Sequence, residues 1–472
     1  MIIPAVPKCG IFSQFASKIT SLGAVMVATY VNRFLPGWEV EIIDENNFRR
    51  APVDAAGMID HRKLQAEYPA DAVGFYCGLS STMFRVWEVA KFYQSQGAVT
   101  IAGGWHVRFL PEESLRQGID IVVAGDGENA IVEILSQIAA GKIPRGIFQP
   151  SAAQTDFNRL LMPDFSLIRF AKIKIYPIGR IRGCSMRCEF CSVKDKPRWA
   201  SANYLFATVQ WLVETRRAKS FFITDDRLEE DKPGYLEFFQ KIASKYGNKL
   251  TFTVQARLGA ARDLEFLTAM KAAGVKHVCI GFESPIPEEL TAMRKGINVK
   301  TMMELAQIWS KNFIVHGMFI FGYPNGIKIP YRQRIAAFKK FIRQSRIHTI
   351  QILKPIPLVG TELRERLLKE DVLFPLHKVG WDLYDGNFVC FKPNNMSLSE
   401  LQNGPHKIMS SFYSIYAWFT FPIRTISMPF DFLIRGWRSW HLGWWRDKIR
   451  IGGNILLRRS KRQEIKFLRS LE

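Results

Sequence analysis

Short apolar runs rich in β-branched residues recur along the first third of the chain, at residues 2–6, 38–43, 71–77, 98–102 and 119–124. Stretches with apolar positions three and four apart, such as 84–96 and 128–139, lie between them. Runs that are apolar on both faces suit strands buried on both sides, and intervening helices cover such a sheet. Residues 1–150 therefore predict an α/β domain, a flavodoxin-like doubly wound parallel sheet of five strands. In that architecture a ligand sits beyond the carboxyl ends of the strands. Three turns of small residues follow strands there: Ser80, Ser81 and Thr82; Gly103 and Gly104; Gly125 and Gly127. Small residues let a ligand approach the backbone closely, so these positions form a candidate binding face.

A stretch rich in Pro, Gly and polar residues, 141–163, reads as a linker. Six further strand patterns follow at 172–179, 219–225, 249–255, 276–283, 314–321 and 347–353, separated by helical patterns that include 264–273, 287–293 and 331–345. This repeat predicts a partial (β/α)6 TIM-type barrel over residues 165–368, with its chemistry at the carboxyl ends of the strands. Residues 369–472 have a different texture and predict a mostly helical segment. Twelve aromatic residues fall between Phe412 and Trp445.

Charge refines this division. The chain of 472 residues carries a net charge of +22. Residues 1–150 hold 13 basic and 15 acidic residues, so the whole excess lies beyond them. From His406 to Glu472 there are 13 basic against 4 acidic residues. Aromatic rings interleaved with Lys and Arg suit the boundary of an anionic membrane; a helical lid that buries the rings on the barrel fits equally well. Nucleic acid ranks third, because no recognised nucleic-acid module accompanies the charge. No uncharged apolar run is long enough to span a bilayer; the nearest, 408–423, has sixteen residues and contains Pro422. The expected location is cytoplasmic, peripheral on the inner face of the membrane.

The most specific chemistry lies just after the first barrel strand. Cys184, Cys188 and Cys191 are spaced C-x-x-x-C-x-x-C, and no fourth cysteine is near. A [4Fe–4S] cluster normally takes four thiolates, so three leave one iron open to a ligand. A structural zinc site would want four closed ligands. Cys9, Cys77, Cys279 and Cys390 are scattered singly in apolar surroundings and read as small core residues. An odd count of seven and the absence of a secretory leader argue against a disulfide framework.

The triplet, with Phe190 before its last cysteine and a strand before it, resembles the radical S-adenosylmethionine superfamily over residues 172–363. The resemblance implies that each cysteine binds one iron and that the open iron chelates S-adenosylmethionine, whose reductive cleavage gives a 5′-deoxyadenosyl radical. Asp225 and Asp226 occupy the place of a Gly-Gly-Glu motif that touches the methionine amino group. The glycines are absent here, and a helix cap or a turn acid is an equal reading. Glu283, beside Ser284, matches a ribose-contacting position. Arg294 and Lys295 stand where a base pairs with the methionine carboxylate, and Arg257 ends a strand facing the same cavity. No side chain is singled out as a general acid or base. The first third resembles the cobalamin-binding domain of one branch of the superfamily, at 38–44, 71–82, 102–106 and 124–128. It lacks the Asp-x-His-x-x-Gly motif that supplies a cobalt ligand: Asp60-His61-Arg62 lacks the spacing, and His106 reads as a turn residue.

The resemblance implies a [4Fe–4S] cluster, S-adenosylmethionine and cobalamin as cofactors, and modification of an unactivated carbon. Methylation of a hydrophobic or secondary-metabolite substrate leads; rearrangement, cyclisation or anaerobic oxygenation without methyl transfer follows. Related enzymes act on hopanoid lipids, tetrapyrroles and antibiotic precursors. A tRNA methylthiotransferase should carry a second upstream cysteine cluster, and a nonenzymatic iron–sulfur adaptor should not cleave S-adenosylmethionine. Expected partners are a small-molecule or lipid substrate, a reducing donor such as flavodoxin or ferredoxin, and an anionic membrane surface.

Overall fold

The computed structural model describes residues 1–7, 16–150, 154–414 and 416–471. Cys9 lies outside them. The first sheet is wholly parallel and has seven strands: β1 (Ile2–Ile3), β2 (Ile42–Asp44), β3 (Ala72–Tyr76), β4 (Val99–Gly103), β5 (Ile121–Val123), β6 (Gly146–Phe148) and β7 (Ile168–Arg169). Their spatial order is β6-β5-β4-β3-β1-β2-β7. The inner five strands have the flavodoxin-like order, and β6 and β7 extend the two edges. The linker expected at 141–163 is thus corrected in part, because Gly146–Phe148 pairs with β5. Strand order reverses between β1 and β3, the place where open α/β sheets bind ligands.

Helices follow the apolar period closely. Met83–Ser95 and Gly127–Ala139 cover the sheet through Val86, Ala90, Tyr93, Ala130, Ile131 and Ile134. Gly104 links β4 to the helix Trp105–Phe109 with φ of 129°, and a Cβ there would stand 2.7 Å from the backbone carbon of Cys77. Only glycine takes that conformation without strain, so the turn after β4 can lie directly on the turn after β3.

The second sheet is built from β8 (Tyr176–Ile178), β11 (Ser220–Ile223), β12 (Thr251–Gln255), β13 (Val275–Glu283), β14 (Ile314–Ile320) and β15 (Thr349–Leu353), all parallel and in sequence order. A short antiparallel pair, β9 (Ile181–Arg182) and β10 (Arg198–Trp199), brackets the cysteine loop. The fold is therefore an α/β partial barrel behind a flavodoxin-like domain. Its core interleaves rings from neighbouring strands, such as Phe221 stacked on Phe252 and Phe282 on Phe319, each about 5 Å apart.

The helical remainder finishes both units. Leu398–Phe412 begins with a capping box between Ser397 and Glu400 and packs along β15. Tyr413 then seals that edge strand: its hydroxyl donates to the Ile350 carbonyl at 2.6 Å and accepts from the Ile350 amide at 2.8 Å. Earlier in the segment, Trp381, Tyr384 and Phe388 bury themselves in the core of the first domain, joined there by Phe467 of the last helix. These rings lie outside the Phe412–Trp445 stretch and pack on the first domain rather than on the barrel. A helical hairpin, Tyr416–Ile426 and Met428–Leu471, completes the chain, and no helix is long and apolar enough to cross a membrane among the described residues.

Candidate site around the cysteine loop

The cysteine loop leaves β9 and is held from all sides. Cys184 donates its amide to the Asp195 carbonyl, and Cys191 to the Cys188 carbonyl, each at 3.2 Å. Glu189, between the last two cysteines, is buried. Its carboxylate accepts from the Tyr323 hydroxyl at 2.6 Å and from Arg366 at 2.8 and 3.3 Å. Lys194 donates to the Cys188 carbonyl at 2.8 Å and pairs with Glu362. Arg294, half-exposed, reaches the same Glu362 at 2.5 Å.

Cys188 is buried; Cys184 and Cys191 are partly so. Burial raises the Cys191 thiol above its ordinary range, and the neighbouring Cys188 and Cys184 add to the shift. Burial likewise raises Cys184. The three sulfurs therefore share one electrostatic site. Among the described residues no group of three or more His, Cys, Asp or Glu stands together as a site for a single metal ion. Three thiolates on one loop with no fourth nearby are the donor set of a cluster with one open iron, whereas a structural zinc site takes four closed ligands.

Three cavities meet this loop. The first, about 480 Å³, lies between the carboxyl ends of β3, β4 and β5 and the start of the barrel; it takes in Gly103, Gly104, Gly125, Gly127, Asp225 and Asp226, with Gly183 of the loop. The second, about 610 Å³, lies over the barrel and includes Arg257, Lys295, Glu229 and Gly281, with Met186 of the loop. The third, about 460 Å³, opens at the reversal between β1 and β3; it includes Ser80, Ser81 and Thr82 and the apolar Leu353, Ile356 and Val359, with Ser192 of the loop. Thr20, Ser21, Tyr76 and Trp105 wall both the first and the third.

Asp225 is buried and accepts from the Arg180 amide at 2.8 Å and from the Tyr235 hydroxyl. Burial pushes its carboxyl up to about 6. Asp226, likewise pushed up to about 6 by burial, accepts from the Gly183 amide at 3.1 Å. Both face the first cavity, whereas Arg257 and Lys295 face the second. Glu283 sits at a bulge in β13 with φ of 62°, which turns its carboxylate onto Lys295 at 2.9 Å. Ser284 is fully buried and engages Glu289 and the Ile286 amide, so it shapes the start of the helix Pro287–Ala292.

Sequence reasoning passed over Glu229. Its Oε1 accepts from the Arg257 amide at 2.9 Å, while Oε2 is buried with no hydrogen-bond partner. Burial raises this carboxyl. Oε2 faces the Arg227 guanidinium at 3.7 Å, beyond hydrogen-bond reach, so this oxygen keeps acceptor capacity for a cationic group. The acidic run Leu228–Asp231 carried no local signal that one of its members points inward.

Among the described residues, the binding face of the first domain offers no free imidazole. His106 is fully buried with Nδ1 at 3.0 Å from the Ser80 hydroxyl and Nε2 at 3.1 Å from Glu113. His61 is held between Tyr93 and Glu45. Cys77 and Cys390 are core thiols, as expected, and burial pushes Cys77 up to about 12. Cys279 is half-buried within β13. The basic loop around the first cavity is self-neutralised: Arg108 pairs with Asp195 at 2.6 and 2.7 Å, Arg198 with Asp126 at 2.8 Å, and Arg182 with Glu128.

Comparison with known proteins agrees with this layout. Residues 9–135 match the B12 binding domain family, and residues 178–327 match the radical SAM superfamily. An uncharacterized methyltransferase of Pyrococcus horikoshii, PH0819, is 25% identical over 382 residues, covering 75% of this chain and 81% of the relative. The bacteriochlorophyllide d C-12(1)-methyltransferase of Chlorobaculum tepidum is 23% identical over 418 residues, covering 83% and 82%. The solved structure of OxsB, a cobalamin-dependent S-adenosylmethionine radical enzyme with aqua-cobalamin and S-adenosylmethionine bound, shares the fold with a TM-score of 0.65 at 12% identity; the match covers 90% of this chain and 68% of that one. The chain is a radical S-adenosylmethionine enzyme with an N-terminal B12-binding domain, and its cofactors are a [4Fe–4S] cluster, S-adenosylmethionine and cobalamin.

Proposed function

We propose that this enzyme methylates an unactivated carbon of an apolar small molecule, with residues 1–150, 165–368 and 369–472 acting as cobalamin, radical and covering units. One observation carries the reading: the loop that holds Cys184, Cys188 and Cys191 lends Gly183, Met186 and Ser192 to the walls of the three cavities in turn, which supports a cluster placed beside all three. The three cysteines hold the cluster. Arg257 and Lys295 suit the carboxylate of S-adenosylmethionine, and Glu229 suits its ammonium group. Glu283 fixes Lys295 through their ion pair. When bound, these groups supply a hydrogen-abstracting radical, and cobalamin supplies the methyl.

The glycine-edged first cavity suits the corrinoid, held by shape and backbone because neither His106 nor His61 has a free ring nitrogen. The apolar third cavity, backed by Leu353, Ile356 and Val359, suits the substrate. Here the protein orients the reacting carbon and excludes water. A flavodoxin or ferredoxin is the proposed donor. The basic aromatic C-terminus makes peripheral contact with an anionic membrane, from which an apolar substrate could be drawn.

The test is anaerobic reconstitution. Wild type should cleave S-adenosylmethionine to 5′-deoxyadenosine, Cys188→Ala should not, and the purified protein should show cobalamin absorption. Methyl transfer to an apolar acceptor completes the reading. Cleavage with an unmethylated, rearranged product would move the assignment to a cyclase or mutase. Absence of iron and acid-labile sulfide after oxygen-free preparation would end it.

A further inference from the structure

We infer that the turn of the C-terminal helical hairpin is a membrane-inserting element, its apolar tip dipping into the leaflet while the basic helix behind it binds anionic headgroups. The inference rests on the membrane reading above and assigns the surface responsible. The first helix of the hairpin, Tyr416–Ile426, has 11 residues; its partner, Met428–Leu471, has 44 and is about 66 Å long at helical rise. They pack against each other through Phe421 and Trp444, whose rings stand 5.6 Å apart.

The far part of the long helix is anchored. Leu457 and Phe467 are buried, Phe467 lies 5.0 Å from the Phe388 ring, and Asn454 donates to the Tyr413 carbonyl at 2.8 Å. At the turn, large apolar side chains are exposed. Phe419, Ile423, Ile426 and Phe430 are 65%, 65%, 80% and 70% exposed, and Trp418 is 46% exposed. Positions 419, 423 and 426 are four and three apart, so they share one helix face. Large exposed apolar side chains gathered around one turn mark an interaction surface.

Charge selects the occupant. The helix Met428–Leu471 contains 11 Lys and Arg against 3 Asp and Glu. Trp444 lies under the Lys448 ammonium at 5.1 Å, an aromatic–cation pair suited to a headgroup layer. One apolar turn together with a basic helix is the two-signal arrangement that gives stable peripheral binding. A protein partner would need a complementary acidic groove, and a second copy of this basic helix would be repelled.

The test uses full-length protein with phosphatidylcholine vesicles, with and without phosphatidylglycerol. Wild type should sediment with the anionic vesicles, and backbone amides of 416–430 should gain protection from hydrogen exchange. The combined variant Phe419→Ser, Ile423→Ser, Ile426→Ser and Phe430→Ser should bind at least about tenfold more weakly, with the residue of binding abolished by salt. If that variant binds as wild type does and the turn gains no protection, the insertion inference fails while the membrane reading stands. If wild type ignores both vesicle types, both fail. Concentration-dependent dimerisation lost in the variant, without vesicle binding, would overturn the inference in favour of a second copy. Unchanged cleavage of S-adenosylmethionine by the variant would show that any lost binding is not lost folding; loss of cleavage would turn the decision over to the exchange measurement on wild type.

Discussion

Glu189→Gln tests whether the cysteine loop is positioned by charge. The wild-type carboxylate is 10% exposed, takes two hydrogen bonds from Arg366 and takes a third from Tyr323. Glutamine keeps one acceptor but turns an amide N–H toward a donor and leaves the guanidinium without its counter-charge. Hydrogen bonds to charged groups contribute about 1.5–3 kcal/mol each. Arg366 is 31% exposed and also pairs with Glu370 at 3.2 Å, so it regains solvation and the loss is discounted. The net effect on local opening is about 2 kcal/mol, equivalent to about 30-fold faster amide exchange where opening limits it. The amides to follow are those of Cys191 and of Leu363, which donates to the Glu189 carbonyl at 3.1 Å. Amides of β13 serve as the internal reference and should not change. Acceleration under about threefold at both sites would refute the electrostatic staple and leave backbone packing as the loop's support.

Gly104→Ala should lower the unfolding free energy by about 3 kcal/mol or more, because φ of 129° and a 2.7 Å approach to Cys77 leave no room for Cβ. An unchanged urea midpoint would contradict the tight apposition of the two turns. Asp44, 2% exposed, is pushed up to about 6 by burial despite hydrogen bonds from Asn46 and Thr20. A carboxyl raised above its unfolded value of about 4 destabilises the fold increasingly as pH rises toward 6, and fully above that. Asp44→Asn should therefore stabilise by about 2–3 kcal/mol near pH 8 and have no such effect near pH 3, read as melting temperature against pH. Glu45 has the opposite sign: burial would raise it, but hydrogen bonds from His61 and Arg85 win and hold it down at about 2. The stability it contributes is present above about pH 5 and disappears as pH falls toward 2, so Glu45→Gln should cost most near neutrality.

The barrel was legible because each of its strands is an apolar run set off by a helical period. The helix predicted at 331–345 runs from Tyr331 to Ser345, and β14 ends one residue short of its predicted limit. The strand β6 escaped notice because three residues beginning at a glycine leave no period to read. β7, two residues long, is fixed only by pairing with β2. Within the site, local spacing announces the cysteines. The roles of Glu189, Glu229 and Arg366 depend on which distant groups face them, and that information is carried by tertiary packing alone. The same holds for Trp381, whose partner, Glu113 at 2.9 Å, lies 268 positions earlier.

Phe388 and Phe467 belong to the same apolar core as Ile2 and Phe75. A ribosome making this chain exposes its opening sheet long before the rings that finish it emerge. The nascent domain must wait, unsealed, for the helix that carries Phe467, so chaperone dependence should be greatest before that helix emerges and termination ahead of it should yield sticky fragments. It also follows that excising either end alone would report as much on an opened interior as on the chemistry of the piece removed.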